Sequence, residues 1–363
     1  MLADWLQRLW YQRRPRPALW FLVGGLAWLL LWPLHALFVL ISAARRRWTR
    51  PQRLPVRPLL ASGGGWARPQ RLPVPVVVVG NLVVGGAGKT PLTLALAEHL
   101  RARGWHPGIV SRGYGADLGS AVRAVMPVSR AQDVGDEPCL LARRSGCPVW
   151  VGRERAAAGQ ALLAAHPQVD VLLCDDGLQH YRLARDVEIA VFDARAAGNG
   201  WRLPLGPLRE PLARLGEVDA VVGNGCAVDA LAAGRPAFTM TLQAQDFYRL
   251  DAPQICVSAA GLAAQSAGKN LHAIAGIGDP ERFFRSLRAL GLNFSAHAFA
   301  DHHAYRTSDL DFGPQTVLLM TEKDAVKCAA LALPEAWVLP VTADLPPTLM
   351  DLIVEKLRGC PSD

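Results

Sequence analysis

Val74-Pro-Val-Val-Val-Val-Gly-Asn-Leu-Val-Val-Gly-Gly-Ala-Gly-Lys-Thr90 decides how this 363-residue chain folds. A continuous β-branched run such as Val76–Val79 suits a strand buried on both faces of a parallel sheet. It feeds a glycine-rich turn, and Pro91–Arg103 then places Leu92, Leu94, Leu96 and Leu100 at helical spacing. Strand, glycine-rich loop, Gly-Lys-Thr and helix together predict a phosphate-binding loop. Glycines let backbone N–H groups close around phosphate oxygens, and the helix N-terminus adds partial positive charge. Val83, Val84, Gly85, Gly86, Ala87, Gly88, Lys89 and Thr90 form the candidate cradle. Lys89 is expected to reach the β- and γ-oxygens, and the Thr90 hydroxyl to sit on Mg²⁺. The usual first glycine is replaced by Val83, so the loop is a variant of the common pattern.

Downstream, Val169-Asp-Val-Leu-Leu-Cys-Asp175-Asp176 reads as an apolar strand ending in two carboxylates. This is the second element that a P-loop enzyme needs to hold metal and organise the phosphoryl acceptor. Guanine specificity is not expected, because Thr321-Glu-Lys-Asp324 places its lysine one position late for a base-reading motif. ATP follows by elimination. Polar clusters recur in loops: Ser111-Arg-Gly-Tyr-Gly115, Gly135-Asp-Glu-Pro138, Asp175-Asp-Gly-Leu-Gln-His180, Gly206-Pro-Leu-Arg-Glu210 and Asp301-His-His303. Such a set fits an enzyme with a polar second substrate. A membrane-tethered NTPase switch and a nucleotide-gated binding protein are the competing classes, and neither needs the Gly-Asp-Glu-Pro and Asp-His loops.

Outward from this core the composition changes. Residues 1–75 hold twelve arginines and one acid, Asp4, leaving 27 basic and 30 acidic residues for 76–363. The net charge of +8 is therefore an N-terminal property, and nucleic acid is not an expected partner. Ala18–Ala44 is 27 residues without a charge, flanked by Arg13, Arg14 and Arg16 and by Arg45–Arg47 and Arg50. About 20 apolar residues suffice to cross a bilayer, so a membrane anchor is expected, as a span or as a kinked helix in one leaflet. A Pro/Arg-rich linker follows, in which Trp48–Val56 recurs as Trp66–Val74. Seven scattered cysteines without a CxxC pair argue against a disulfide scaffold or structural zinc.

The order of these motifs, from Val79-Gly-Asn-Leu through Gly-Lys-Thr-Pro91 to Asp301-His302, resembles the tetraacyldisaccharide 4'-kinase family of lipid A biosynthesis. That resemblance implies transfer of the ATP γ-phosphate to the 4'-hydroxyl of an acylated glucosamine disaccharide 1-phosphate. The setting it implies is the cytoplasmic face of the inner membrane, with the lipid bilayer as partner. It assigns Asp136 as acceptor of the hydroxyl proton, paired with His302, with the adjacent His303 as alternative partner. Arg209 falls on the γ-phosphate, and Thr90, Asp175, Asp176 and Glu210 are the Mg²⁺ candidates. Arg112, Tyr114, Gln179 and His180 are candidates for the sugar or its phosphate. The expected organisation is α/β throughout: anchor 1–47, linker 48–73, P-loop lobe 74–227, and a second, smaller α/β lobe 228–363. The active site would lie in the cleft between the lobes.

Overall fold

The computed structural model describes residues 6, 9–11, 31–44, 46 and 69–359. Residues 48–68 of the expected linker and 18–30 of the apolar run lie outside them; the last linker residues, 69–73, lie within them, and Gln70 bridges to Leu183. A helix, α1, covers 31–44. Among the described residues no helix is long and apolar enough to cross a membrane, so a membrane-spanning anchor has no support here.

The first sheet has nine strands: β1 (Val76–Gly80), β2 (Pro107–Ser111), β3 (Arg123–Val125), β4 (Val149–Val151), β5 (Val171–Asp175), β6 (Val187–Asp193), β7 (Ala220–Asn224), β8 (Ala237–Ala244) and, from the end of the chain, β15 (Val341–Asp344). Their order is β15-β8-β7-β6-β1-β5-β2-β4-β3. The central strands run parallel, and β1 pairs with β5 so that Val79 lies opposite Asp175. The alternation of β1 explains its composition. Val77 and Val79 enter one apolar core with Leu92, Leu96 and Leu100; Val76 and Val78 enter the other with Leu172 and Phe192. Helix α2 (Lys89–Ala102) covers the first face. This lobe also holds α3 (Arg155–Ala165), the short turn Ala131–Val134 and, directly after that turn, α4 (Asp136–Arg144), whose first residue is a site candidate.

Six strands make the second sheet, ordered β10-β9-β14-β13-β11-β12. They are β9 (Phe247–Arg249), β10 (Cys256–Val257), β11 (Asn270–Ala275), β12 (Ser295–Ala298), β13 (Thr316–Thr321) and β14 (Glu335–Leu339). Phe283, Phe284 and Leu287 of the helix Pro280–Ala289 pack on Val317 and Leu319 on one face. Leu318 and Met320 face the other core with Tyr305. Helix α5 (Glu322–Cys328) follows β13 directly.

The second lobe is smaller than the expected 228–363. Strands β8 and β15 hydrogen-bond to each other and extend the first sheet, and the C-terminal helix Pro347–Arg358 buries Leu349, Ile353 and Leu357 in the first lobe's core. The chain thus leaves the first sheet after β8, builds the second, and returns. Sequence could not place that return, because a short apolar strand carries no mark of which sheet it joins.

Candidate active site

The nucleotide-facing half grows from the end of β1. Asn81 is fully buried, and its Nδ2 donates to the Gly85 carbonyl at 3.2 Å, closing the turn. Gly88, at φ +98°, begins α2 in the left-handed region. A Cβ there would fall 2.2 Å from Asn224 Nδ2, the group that donates to the Ala87 carbonyl at 3.1 Å. A side chain at this position would therefore break the clamp from β7 as well as strain the backbone. Arg195, ion-paired with Asp193 at 2.6 Å, donates to the Gly86 carbonyl at 3.1 Å. The expected cradle is not uniform. Val83 is buried in the core, and the Val84 N–H donates to the Pro207 carbonyl at 2.9 Å, so that donor is already committed.

Lys89 Nζ stands 3.5 Å from Asp176 Oδ1, and Arg209 Nη1 stands 3.7 Å from the same oxygen. That oxygen is buried without a hydrogen bond. Burial raises the Asp176 carboxyl, but Lys89, Arg209 and Arg155 pull it below the usual aspartate range. Asp176 also sits at φ +52°, an uncommon region for a non-glycine residue. Its neighbour Asp175 is fully buried. It accepts from Thr93 Oγ1 at 3.1 Å and from Thr90 Oγ1 at 3.4 Å. Burial, with the Glu137 carboxylate nearby, pushes Asp175 up to about 7. An orphaned buried oxygen, a carboxylate crowded by others and a threonine hydroxyl are a donor set that fits a hard cation such as Mg²⁺. No group of three His, Cys, Asp or Glu side chains among the described residues forms a cage by itself. Mg²⁺ bound chiefly by one or two carboxylates, water and phosphate does not need one.

Glu210 is placed differently from the other metal candidates. Its Oε2 accepts from the Tyr181 hydroxyl at 2.6 Å and lies 3.7 Å from Arg214 Nε. Arg214, 2% exposed, is held by Glu188 at 2.5 and 2.7 Å. The Glu210 carboxylate thus belongs to a buried ion-pair network behind Arg209.

The other half of the cleft begins at Gly135, whose φ of +96° turns the chain into α4. A Cβ on Gly135 would lie 2.8 Å from the Tyr114 carbonyl, so the Ser111–Gly115 loop packs directly against this turn. Asp136 follows, 5% exposed, with the Glu137 N–H donating to its Oδ1 at 2.9 Å. His302 Nδ1 approaches both oxygens of Asp136, at 2.9 and 3.1 Å. Burial raises the Asp136 carboxyl, but the His302 hydrogen bond and the Lys323 charge hold it below the usual carboxylate range. The carboxylate is therefore ionised and able to accept a proton. His302 adopts φ +60°, a strained setting that persists only where surroundings fix it. His303 is bonded to Asp309 at 3.2 Å instead, which settles which of the two histidines meets Asp136.

The remaining candidates divide. Tyr114 is 58% exposed and its ring centroid lies 4.7 Å from that of His302, while Arg112 is exposed on the same loop. Gln179 donates to the Asn81 carbonyl at 2.9 Å and accepts from Arg209 at 3.4 Å. His180 Nε2 accepts from the Arg155 N–H at 3.3 Å. Sequence reading missed Arg155 itself. The residue is 5% exposed; its guanidinium donates to the Arg153 carbonyl at 2.9 Å and the Asp176 carbonyl at 3.5 Å, and its Nε has no partner. It also missed Lys323 and Glu137, which bond each other across the lobes at 3.1 Å. Only an arginine opening an alanine-rich helix marked Arg155, and that signal is too common to use.

Comparison with known proteins gives the family. The family model described as tetraacyldisaccharide-1-P 4'-kinase, LpxK, matches residues 27–358. The tetraacyldisaccharide 4'-kinase of Dechloromonas aromatica is 58% identical over 360 residues, 99% of each chain. That of Azoarcus sp. is 48% identical over 351 residues, 94% of this chain and 95% of the relative. The crystal structure of LpxK from Aquifex aeolicus in complex with ATP matches with a TM-score of 0.70 at 27% identity, covering 90% of this chain and 98% of that one. Matched over nearly its whole length in sequence and fold, the chain belongs to the tetraacyldisaccharide 4'-kinase family.

Proposed function

We propose that the chain transfers the γ-phosphoryl group of ATP to the 4'-hydroxyl of tetraacyldisaccharide 1-phosphate, a step of lipid A biosynthesis. The observation that carries this reading is the Asp136–His302 pair, 2.9 Å apart and joined across the lobes, in the same cleft as Lys89 and Asp176. Phosphoryl transfer depends mainly on positioning and charge neutralisation. Lys89 and Arg209 supply cations for the phosphate oxygens. Thr90, Asp175 and Asp176 would hold Mg²⁺, which when bound neutralises phosphate charge. Asp136 accepts the proton of the attacking hydroxyl, and His302 orients that carboxylate. Arg112 and Tyr114, beside the pair, serve the sugar or its phosphate. Gln179 and His180 act through Arg209 and the backbone at Arg155.

Helix α1 supports association with a membrane surface, and the lipid A chemistry of the family points to the cytoplasmic face of the inner membrane. His35 is buried, its Nδ1 donating toward the Arg202 and Leu203 carbonyls at 3.0 and 3.2 Å. The helix is thereby tied to the P-loop lobe while Trp32, Leu34, Leu37, Leu40 and Ile41 are each more than half exposed. Leu34, Leu37 and Ile41 share a face at helical spacing, as in an interfacial helix. The substrate's acyl chains stay in the bilayer, and such a helix brings the cleft to them. The test is transfer of label from γ-³²P-ATP to tetraacyldisaccharide 1-phosphate in detergent micelles. Labelled lipid from wild type and none from Asp136→Ala is the expected result. ATP hydrolysis without labelled lipid would overturn the reading in favour of a tethered NTPase.

A further inference from the structure

Helix α5 begins with Thr321-Glu-Lys-Asp324, the stretch that fails as a base-reading motif. Its first turn is fixed firmly in the second lobe. Thr321 caps it by accepting from the Asp324 N–H. Asp324, fully buried, accepts from the Gly276 N–H at 3.1 Å, the Tyr305 hydroxyl at 3.0 Å and the Thr321 hydroxyl at 2.6 Å, and pairs with Lys327 at 2.8 Å. Two side chains then reach from this turn to α4 of the first lobe. Glu322 pairs with Arg144 at the end of α4, and Lys323 pairs with Glu137 at its start.

Lys323 does more than join helices. Its Nζ lies 3.1 Å from Glu137 Oε1, 3.2 Å from Asp301 Oδ1, 3.8 Å from Asp136 Oδ2 and 3.5 Å from His302 Nε2. It therefore meets both members of the Asp136–His302 pair and the residue flanking each. An ammonium group has three donors and no acceptor. His302 Nε2 faces this ammonium and, at 3.8 Å, Asp301 Oδ2; the protonated lysine disfavours a proton on Nε2, and the Asp136 carboxylate takes the proton on Nδ1. Burial opposes the lysine charge, but Glu137, Asp136 and Asp301 together more than offset it and keep Lys323 protonated.

We propose that Lys323 is a positioning residue, which locks the two lobes together at the acceptor side and fixes His302 as the tautomer that donates from Nδ1 to Asp136. The proposal rests on the kinase reading above for its catalytic meaning, but the tautomer it assigns can be measured without turnover.

The experiment uses the full chain in detergent micelles with ¹⁵N-labelled histidine, the His302 signal being assigned by loss in His302→Gln. Wild type is expected to show the Nδ1–H tautomer. Lys323→Met removes the donor facing Nε2 and leaves the Asp301 carboxylate beside it, so it should populate an Nε2-protonated ring and lower kcat roughly 10- to 100-fold, as expected for a misplaced catalytic group, with the KM for ATP changed by less than about twofold. Lys323→Arg, which keeps the charge, should restore the tautomer and most of kcat. An unaltered tautomer and kcat in a folded Lys323→Met protein overturns the proposal, even if its melting temperature falls. So does a wild-type signal from the Nε2–H tautomer, a readout that holds should Lys323→Met fail to fold. Absence of lipid phosphorylation by wild type overturns the kinase reading instead, leaving the tautomer result to judge Lys323.

Discussion

The two sides of the cleft are built on different plans. On the nucleotide side, the loop after β1 and the carboxylate ending β5 are neighbours because the strands pair, Val79 opposite Asp175. Its parts lie at the ends of neighbouring strands of one sheet, between that sheet's two cores. On the acceptor side, Asp136 and His302 are 166 positions apart and belong to different lobes. Helix α5 helps to bring them together, since Lys323 contacts both the His302 loop and the start of α4. The nucleotide side is thus set when its sheet forms, whereas the acceptor side is complete only while the lobes are docked. The backbone shows no such contrast: each side has a glycine turn, Gly88 or Gly135, and one non-glycine residue at positive φ, Asp176 at +52° or His302 at +60°, held by its surroundings.

The sharpest probe of this contrast is Lys89→Ala. Removing the cation from the phosphates should lower kcat by roughly 10³-fold or more, with circular dichroism and the Asp136–His302 contact unchanged. Asp136→Asn should come next, a loss of about 10²- to 10⁴-fold in kcat with the KM for ATP nearly constant. His302→Ala should cost less, roughly 10- to 100-fold by the same reasoning about a misplaced group. If the pair acts as a unit, Asp136→Asn combined with His302→Ala should be little worse than Asp136→Asn alone. Fully multiplicative losses in steady-state kinetics would break the view of the acceptor side as one assembled device.

The smallest effect concerns stability. Asp175 titrates near 7 in the fold, against an unfolded value of roughly 3.9. A raised carboxyl favours the folded state while protonated, so this contribution is lost as pH rises from about 4 through 7. Asp175→Asn should therefore raise the melting temperature at pH 8 without Mg²⁺, by roughly 2–4 °C per kcal/mol relieved. It should leave the melting temperature nearly unchanged at pH 4. A lower melting temperature at pH 8, read by differential scanning fluorimetry, would show that Asp175 is a structural member of the nucleotide side and not a strained ligand.

The sequence carried the nucleotide side almost entire, because each part is a local pattern. A β-branched run, glycines at the turn and a strand ending in Asp175-Asp176 have the same meaning wherever they occur. Val84 is an exception: its N–H went to Pro207, a partner no local pattern could supply. Glu210 is a second, since a carboxylate beside an arginine reads alike whether it faces a metal or the buried Arg214 network. The acceptor side was legible only through resemblance. Nothing near Asp136 in the chain points to His302, and Lys323 lay in a motif that had no apparent use.

What the sequence determined by itself was the class of chemistry, an α/β fold with a phosphate-binding loop, because strand burial and loop glycines are written within a few residues. Which charges face one another was decided by the tertiary structure. The return of β15 to the first sheet, the choice of His302 over His303, and the placing of Lys323 between two lobes all depend on packing of distant segments. Electrostatic interactions act over a few ångströms of space, and chain separation says nothing about that distance until the cores have formed.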